Sequence, residues 1–184
     1  MSTLLEALNE RVLIWDGAMG TQIHAAGFQQ VDFTVPSIGA ESVKAAAQRL
    51  QGAFLDGCNE LLNLTRPDAI QAIHQRYLEA GSDLIETNTF GATSVVLAEY
   101  DIPELVYEIS LAAAQIARRA ADVVATPDRP RWVVGAIGPG TKLVSLGQTS
   151  WAELESTYST ACRALLEGGA DALLLETLQD LLMV

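Results

Sequence analysis

Basic residues are scarce in this sequence: 11 lysines and arginines stand against 23 aspartates and glutamates, giving a formal net charge of −12. Binding to nucleic acid or to an anionic membrane needs a basic patch, and none is visible. The sequence also lacks the run of roughly 20 apolar residues that could cross a bilayer. Its N-terminus has no basic region followed by an apolar run, as a signal peptide would. We therefore expect a cytoplasmic protein whose partners are neither nucleic acid nor membrane.

Cysteine and histidine are equally rare, with two of each. Cys58 and Cys162 are far apart and have no CxxC spacing, which fits a reducing compartment better than a disulfide framework. Cys58 is in a predicted loop with no nearby base to activate it as a nucleophile, and Cys162 is predicted to be a small buried residue of a helix. His24 and His74 do not form a metal pair, and we expect His74 on a helix surface.

Hydrophobic residues make up 49% of the chain and charged residues 18%, which is typical of a folded globular protein. A length of 184 residues suits one domain with a sizeable core and is too short for most two-domain enzymes. We therefore interpret residues 1–184 as a single domain.

Four short runs rich in apolar or β-branched residues predict buried strands, and helical patterns separate them. The predicted strands are Val12–Trp15, Asp83–Thr87, Trp132–Gly135 and Ala172–Leu175. Helices are predicted over Leu4–Asn9, Glu41–Leu50, from Thr65 to Gly81, from Asp101 towards Val124, and from Ser150 to Glu167. This order favours a parallel sheet with helices packed outside it.

The start of the third predicted helix is the clearest helix signal in the chain. Thr65 is expected to cap it through its hydroxyl, Pro67 stands in the first turn, and Asp68 faces the positive end of the helix. Gly81 is expected to end it.

A faint internal repeat links the second and fourth predicted strands. Residues 79–87 and 167–177 each contain a helix end, a glycine, a buried strand and a carboxylate at the strand's carboxyl end. Such units are typical of a (β/α)8 barrel, and a doubly wound open sheet is the alternative on topology alone. A closed barrel takes about 250 residues. We therefore expect an α/β fold with only about the first four βα units of a barrel, truncated at its C-terminal end.

Polar residues gather where the predicted strands end. Asp16, Glu86 and Glu176 supply carboxylates, while Gly17 and Gly135–Gly140 supply flexible backbone amides. Carboxylates can hold an ammonium group, and backbone N–H groups at helix N-termini can hold a carboxylate. The strand ends therefore suit a zwitterionic ligand. The alternative for each acid alone is a helix cap or an ion pair.

Two phosphate-binding motifs are not met. Residues 135–142 resemble a P-loop, but Thr141 stands where the lysine should be, and residues 16–20 lack the GxGxxG spacing of dinucleotide sites. An unrelated phosphate-binding barrel would need a phosphate loop after later strands, and that alternative stays open.

Short blocks of sequence occur along nearly the whole chain in one order: Trp15–Thr21, Gly57–Glu60, Leu64–Pro67, Ile85–Gly91, Ile137–Lys142 and Leu175–Thr177. Together they resemble the homocysteine S-methyltransferase family. Within it they are most similar to the N-terminal, homocysteine-binding module of the cobalamin-dependent methionine synthases.

The resemblance implies a (β/α)8 barrel that methylates the sulfur of homocysteine to give methionine, using zinc held by three cysteines. The logic is physical: a thiol with a pKa of about 8.5 is a poor nucleophile at neutral pH, and zinc stabilises its thiolate. The implied methyl donor is methylcobalamin or methyltetrahydrofolate, presented by cobalamin and folate modules of the complete protein. Users of betaine and S-methylmethionine share the barrel.

Carried over by motif, the resemblance assigns homocysteine binding to eight residues. Glu176 would bind the ammonium group, and Gly138 would contribute backbone to the pocket wall. The other six would line the pocket: Asp16, Gly17, Thr21, Asn88, Thr89 and Phe90.

The same resemblance places the zinc cysteines of the family beyond Val184, in the second half of the barrel. We therefore expect no metal ligand, no bound zinc or cobalamin and no catalytic residue within this chain, which alone would be inactive. The alternative is a half-barrel that acts only as a structural or binding unit. Two unpaired strand edges and an apolar sheet face predict self-association.

Overall fold

Three parallel strands form the sheet of the computed structural model, which describes residues 3–184. They are adjacent in chain order: β1 (Leu84–Glu86), β2 (Trp132–Ile137) and β3 (Ala172–Leu175). Helices connect them, as parallel pairing requires. The α/β class and the parallel sheet predicted from the sequence are confirmed.

Eight α-helices occur within residues 3–184. They are α1 (Leu4–Glu10), α2 (Met19–Ala26), α3 (Glu41–Leu50), α4 (Leu62–Thr65), α5 (Pro67–Ala80), α6 (Ser94–Leu97), α7 (Val106–Val124) and α8 (Trp151–Glu167). None of these helices is both long enough and apolar enough to cross a bilayer.

The central strand β2 is buried along its whole length. Its Val133 lies opposite Ile85 of β1, and its Gly135 lies opposite Leu173 of β3. An added Cβ at Gly135 would come within 2.9 Å of Leu165, so glycine lets α8 pack closely on the sheet.

Helix α7 packs between α5 and α8 and against β2. Its buried face carries many alanines, including Ala113, Ala114 and Ala117, and such small side chains permit close approach of neighbouring elements. At Gly168, which follows α8, an added Cβ would lie 2.6 Å from the Ala114 Cβ. The core is therefore built on close helix packing beside the sheet.

The predicted first strand, Val12–Trp15, is not a strand and is not buried. Val12 is 83% exposed and Ile14 is 56% exposed. The Ile14 carbonyl accepts hydrogen bonds from the backbone of Asp83 (2.7 Å) and Leu84 (3.1 Å). The Ile14 N–H instead donates to the Asp83 carboxylate at 3.0 Å. A side chain therefore accepts the bond that a backbone carbonyl of a neighbouring strand would accept in a sheet. This segment lies beside β1 without extending the sheet.

Helix α5 begins at Pro67, within the predicted helix start, and ends at Ala80 before the C-cap Gly81, whose φ of 121° favours glycine. Its capping differs from the prediction. Arg66 is the N-cap residue and makes no side-chain capping bond, while Thr65 is the last residue of α4. The Thr65 hydroxyl donates to the Leu61 carbonyl at 3.4 Å. The predicted hydroxyl cap was therefore wrong.

The surface position predicted for His74 was also wrong. The residue is fully buried, neither ring nitrogen has a hydrogen-bond partner, and burial lowers the pKa of His74 from 6.5 to about 4. Cys162, predicted as buried, is only half-buried on α8. Cys58 is fully buried before a short 3-10 turn, and burial raises the pKa of its thiol to about 12.

Candidate functional site

A cleft of about 440 Å³ opens beside the carboxyl ends of the strands. Residues 16–20, 59–60 and 86–90 supply most of its lining. Ala136 of β2 and Glu176 after β3 complete the lining. Parallel sheets carry their ligand sites at this end of the strands.

Six of the eight residues predicted from the sequence line this cleft: Asp16, Gly17, Asn88, Thr89, Phe90 and Glu176. Thr21 is exposed on α2 and is not among the lining residues. Gly138 is buried behind the cleft, where an added Cβ would come within 2.5 Å of the Phe90 carbonyl oxygen. Glycine at this position therefore lets Phe90 pack against the chain after β2.

Four carboxyl groups line the cleft, those of Asp16, Glu60, Glu86 and Glu176, and none of the lining residues is basic. Burial raises the pKa of Asp16 to about 7, helped by the charges of Glu86 and Glu176. Burial also raises the pKa of Glu86, with a further contribution from the Glu176 charge. The pKa values of Glu176 and Glu60 are raised by burial as well. Such an arrangement favours either protonated carboxyl groups or a cationic ligand.

Asp16 is held at the strand ends by the backbone of β1. The Glu86 N–H donates to its carboxylate at 3.0 Å. The next residue, Gly17, lies against Tyr77 of α5, where an added Cβ would be 3.0 Å from the ring. The Tyr77 hydroxyl donates to the Ala18 carbonyl at 3.3 Å. Glycine thus allows the turn before α2 to lie directly on α5.

The N-terminus of α2 also borders the cleft. Its N-cap Ala18 makes no side-chain capping bond, and no acidic residue lies in the first turn. The first N–H groups of a helix have no partner within the helix and carry partial positive charge. Met19 and Gly20 line the cleft, so a helix N-terminus that favours anions and a group of carboxyl side chains border the same space.

The residues after β1 are tied to β2 by a ring of three hydrogen bonds. The Ala136 N–H donates to the Thr87 hydroxyl at 3.0 Å, and the Thr89 hydroxyl donates to the Ala136 carbonyl at 2.7 Å. The two hydroxyl oxygens lie 2.6 Å apart. Both hydroxyl groups therefore hold the cleft wall in place.

Asn88 is fixed from the other side by residues that follow α3. Its side-chain amide nitrogen donates to the Asn59 carbonyl at 2.8 Å and to the Asn63 side-chain oxygen at 3.3 Å. The Asn63 amide donates back to the Asn88 carbonyl at 2.8 Å. The Asn88 side-chain oxygen is the group left for a ligand.

Sequence reasoning missed Asn59 and Glu60 as lining residues, although both belong to a block that it singled out. Glu86 was recognised at a strand end but was not assigned to the site. One signal could have identified Glu60. It lies between two asparagines, Asn59 and Asn63, in residues 58–63. Nothing local indicates that this turn meets the end of β1.

The sequence model of the homocysteine S-methyltransferase family matches residues 13–184. The methionine synthases of Mycobacterium tuberculosis and Mycobacterium leprae are each 46% identical to the chain over 181 residues. These alignments cover 98% of the chain but only 14% and 13% of the two relatives. The chain therefore spans a small part of their length.

Among solved structures, the homocysteine methyltransferase MmuM from Escherichia coli resembles the chain in its metallated and oxidized forms. Both comparisons give a TM-score of 0.69 at 21% identity. They cover 98% and 100% of the chain, respectively, and 59% of MmuM in each case. At this level of identity the likeness concerns the fold.

Proposed function

Because the chain belongs to the homocysteine S-methyltransferase family, we propose that it is the homocysteine-binding part of an enzyme that methylates the homocysteine sulfur to give methionine. One observation carries this proposal: Asp16, Glu86 and Glu176 line a single cleft that the uncapped N-terminus of α2 also lines. A free amino acid carries the complementary pair of charges on one carbon atom.

The ammonium group of homocysteine is assigned to the carboxyl-rich end of the cleft. Glu176 is its principal partner, and Asp16 is the second. A charge-assisted hydrogen bond between an ammonium and a carboxylate is roughly twice as strong as a neutral one. The raised pKa of Asp16, about 7, fits a carboxyl group that is relieved of repulsion when a cation enters.

The carboxylate of homocysteine is assigned to the backbone N–H groups at the start of α2. Gly17 and Gly20 leave this backbone accessible, and the helix dipole favours an anion there. The two ends together orient the amino acid, so the direction of its side chain in the cleft is set before any reaction.

The remaining residues of the proposed site shape the walls. Asn88 offers its free side-chain oxygen, Phe90 covers one rim, and Thr89 and Gly138 hold that wall against β2 and the chain after it. Thr21 contributes through the first turn of α2 instead of through direct contact. These assignments rest on the motif match and on the positions described above.

The activity calls for zinc, which supplies a stabilised thiolate when homocysteine binds to it. The residues of this chain do not fit a zinc site. Within residues 3–184, no three His, Cys, Asp or Glu side chains are grouped so as to hold a metal ion. The buried Cys58 thiol has a pKa raised to about 12.

We therefore assign no zinc ligand to residues 3–184 and propose that the zinc ligands of the complete enzyme lie outside them. The chain alone would then be inactive. Metal analysis of the purified chain checks this directly, and one tightly held zinc ion per chain would contradict it.

The methyl donor is proposed to be methylcobalamin or methyltetrahydrofolate, bound by cobalamin and folate modules of a longer protein. What supports further modules is size, since the chain matches only 14% and 13% of two methionine synthases. In this proposal residues 1–184 are the N-terminal portion of a (β/α)8 barrel. Its closed form would add strands to those described.

A second candidate function is a non-catalytic binding unit that associates with itself. Leu173 and Leu175 of the edge strand β3 are 36% and 44% exposed, and Leu181 and Leu182 are 90% and 76% exposed. An uncovered strand edge with apolar neighbours favours association. Sedimentation of the purified chain over a range of concentrations distinguishes a monomer from a self-associating unit.

Titration of the isotope-labelled chain with L-homocysteine, followed by the NMR shifts of backbone amides, tests the proposed site. We expect saturable shifts at residues 17–20 and 86–90. A titration that leaves both segments unchanged, or that shifts only residues far from the cleft, would reject the proposal.

A further inference from the structure

The wall of the cleft after β1 is an irregular segment held by side chains. The last ladder-like bond joins the Thr87 N–H to the Val134 carbonyl at 2.9 Å. Beyond it, residues 88–91 are held by local turn bonds, such as that from the Thr89 N–H to the Thr87 carbonyl at 2.9 Å, and by contacts to Ala136 and to residues 59–63. A segment that is not hydrogen-bonded into the sheet needs such contacts to keep one conformation.

Residues 59–63 form hydrogen bonds with this segment at two points. Asn63 is 2% exposed and exchanges hydrogen bonds with Asn88. Three residues earlier, the Glu60 carboxylate accepts a hydrogen bond of 2.8 Å from the Gly91 N–H. Glu60 therefore holds the far end of the wall, and Asn63 holds its near end.

Glu60 and Gly91 are in such close contact that no other residue fits at position 91 without movement. An added Cβ on Gly91 would lie 2.8 Å from the Glu60 Oε1 atom and 3.3 Å from Val96. Phe90, which forms the rim of the cleft, is the residue immediately before this contact. A displacement of Gly91 would therefore move Phe90.

We infer that Glu60 is a positioning residue of the cleft: its carboxylate fixes Gly91, and thereby the Asn88–Phe90 wall, instead of binding the ammonium group of the ligand. This inference rests on the proposed homocysteine site. It divides the four acids into two roles, since Asp16, Glu86 and Glu176 are assigned to the ammonium group while Glu60 orders residues 88–90.

The two roles make opposite demands on the side chain at position 60. Positioning needs an oxygen at the right reach to accept from the Gly91 N–H, and a glutamine supplies it. Ionic binding of an ammonium group needs a charge, which an aspartate keeps while its shorter side chain withdraws from Gly91. The variants Glu60→Gln and Glu60→Asp therefore separate the roles, and Glu41→Gln on the exposed surface of α3 is the matched control.

Calorimetric titration of each variant with L-homocysteine, together with hydrogen exchange of the Gly91 amide, tests the inference. We expect Glu60→Gln to bind within about threefold of the unmodified chain. We expect Glu60→Asp to bind about tenfold more weakly, as for the loss of one hydrogen bond to a charged group. Exchange at Gly91 should accelerate in Glu60→Asp alone.

The opposite order, with Glu60→Gln weak and Glu60→Asp close to the unmodified chain, would overturn the inference, as would unchanged binding in both. Failure of the unmodified chain to bind homocysteine would count against the proposed function instead. Gly91 exchange would then still decide the role of Glu60, because equal protection in all variants would show that this side chain does not hold the wall.

Discussion

The backbone N–H of Glu86 donates a 3.0 Å hydrogen bond to the carboxylate of Asp16. This bond ties the end of β1 to the segment that leads into α2, and it brings the Glu86 and Asp16 side chains close enough for their charges to oppose each other. The consequence is a carboxyl group in the cleft whose pKa is raised to about 7, mainly because it is buried.

The affinity for homocysteine should therefore depend on pH. Asp16 is protonated in the free cleft below pH 7, and the ammonium group of the ligand prefers its ionised form, so affinity should rise as the pH increases. Between about pH 5.5 and pH 7 we expect an increase on the order of tenfold, since one pKa unit corresponds to a tenfold change in the ionised fraction. Calorimetric titrations at several pH values measure the dissociation constant.

The Asp16→Asn variant should bind homocysteine weakly, and its affinity should change much less with pH. If its affinity changed with pH as steeply as that of the unmodified chain, Asp16 would be excluded as the source of the pH dependence.

Glu176→Gln should weaken homocysteine binding by about 10- to 100-fold, because it removes the charge from a charge-assisted hydrogen bond. Fluorescence or calorimetric titration gives the dissociation constant. Glu79→Gln, at an exposed position of α5, should bind like the unmodified chain. Equal affinities for the two variants would remove Glu176 from the site.

His74 should make the fold sensitive to acid. The unfolded chain takes up a proton at this residue below pH 6.5, whereas the folded chain does so only near pH 4, so stability is lost as the pH falls through this window. The loss is on the order of 3 kcal/mol when both pKa values have been passed. Urea unfolding at pH 7 and pH 4.5 should show a smaller pH effect in His74→Leu than in the exposed variant His24→Leu. The same pH effect in both would show that His74 is not its cause.

Gly138→Ala should destabilise the chain by about 2 kcal/mol, because the new methyl group would overlap the Phe90 backbone. Gly20→Ala is the matched control: nothing lies within 4 Å of its added Cβ, and alanine is favoured over glycine in a helix by up to about 1 kcal/mol. Urea unfolding of both variants compares them. Equal stabilities would mean that Phe90 does not pack on Gly138 in solution.

The elements with local signals could be predicted from the sequence. The bounds Glu41–Leu50 of α3 and Ala172–Leu175 of β3 agree with the predictions. His74 was misplaced although a signal was present. It lies four residues after Ile70 and four before Leu78, on the apolar face of α5, and that spacing indicates burial more strongly than the polarity of one ring indicates exposure.

Other features depend on contacts between distant segments. Residues 12–15 have strand composition, but the Asp83 side chain takes the N–H of Ile14, and this competition is not visible in the local pattern. The carboxyl ends of parallel strands meet at one end of a sheet. The sequence alone could therefore predict that Asp16 and Glu176 lie close together. Glu60 comes from a turn outside the strands, and its contact with Gly91 exists only in the folded chain.

The central claim is that the carboxyl groups of the cleft bind the ammonium group of an amino acid. Calorimetric titration of the chain with L-homocysteine and with N-acetyl-L-homocysteine, which lacks that charge, tests it most directly. We expect saturable one-to-one binding of L-homocysteine and at least tenfold weaker binding of the acetylated compound. Equal affinity for the two compounds would contradict the claim.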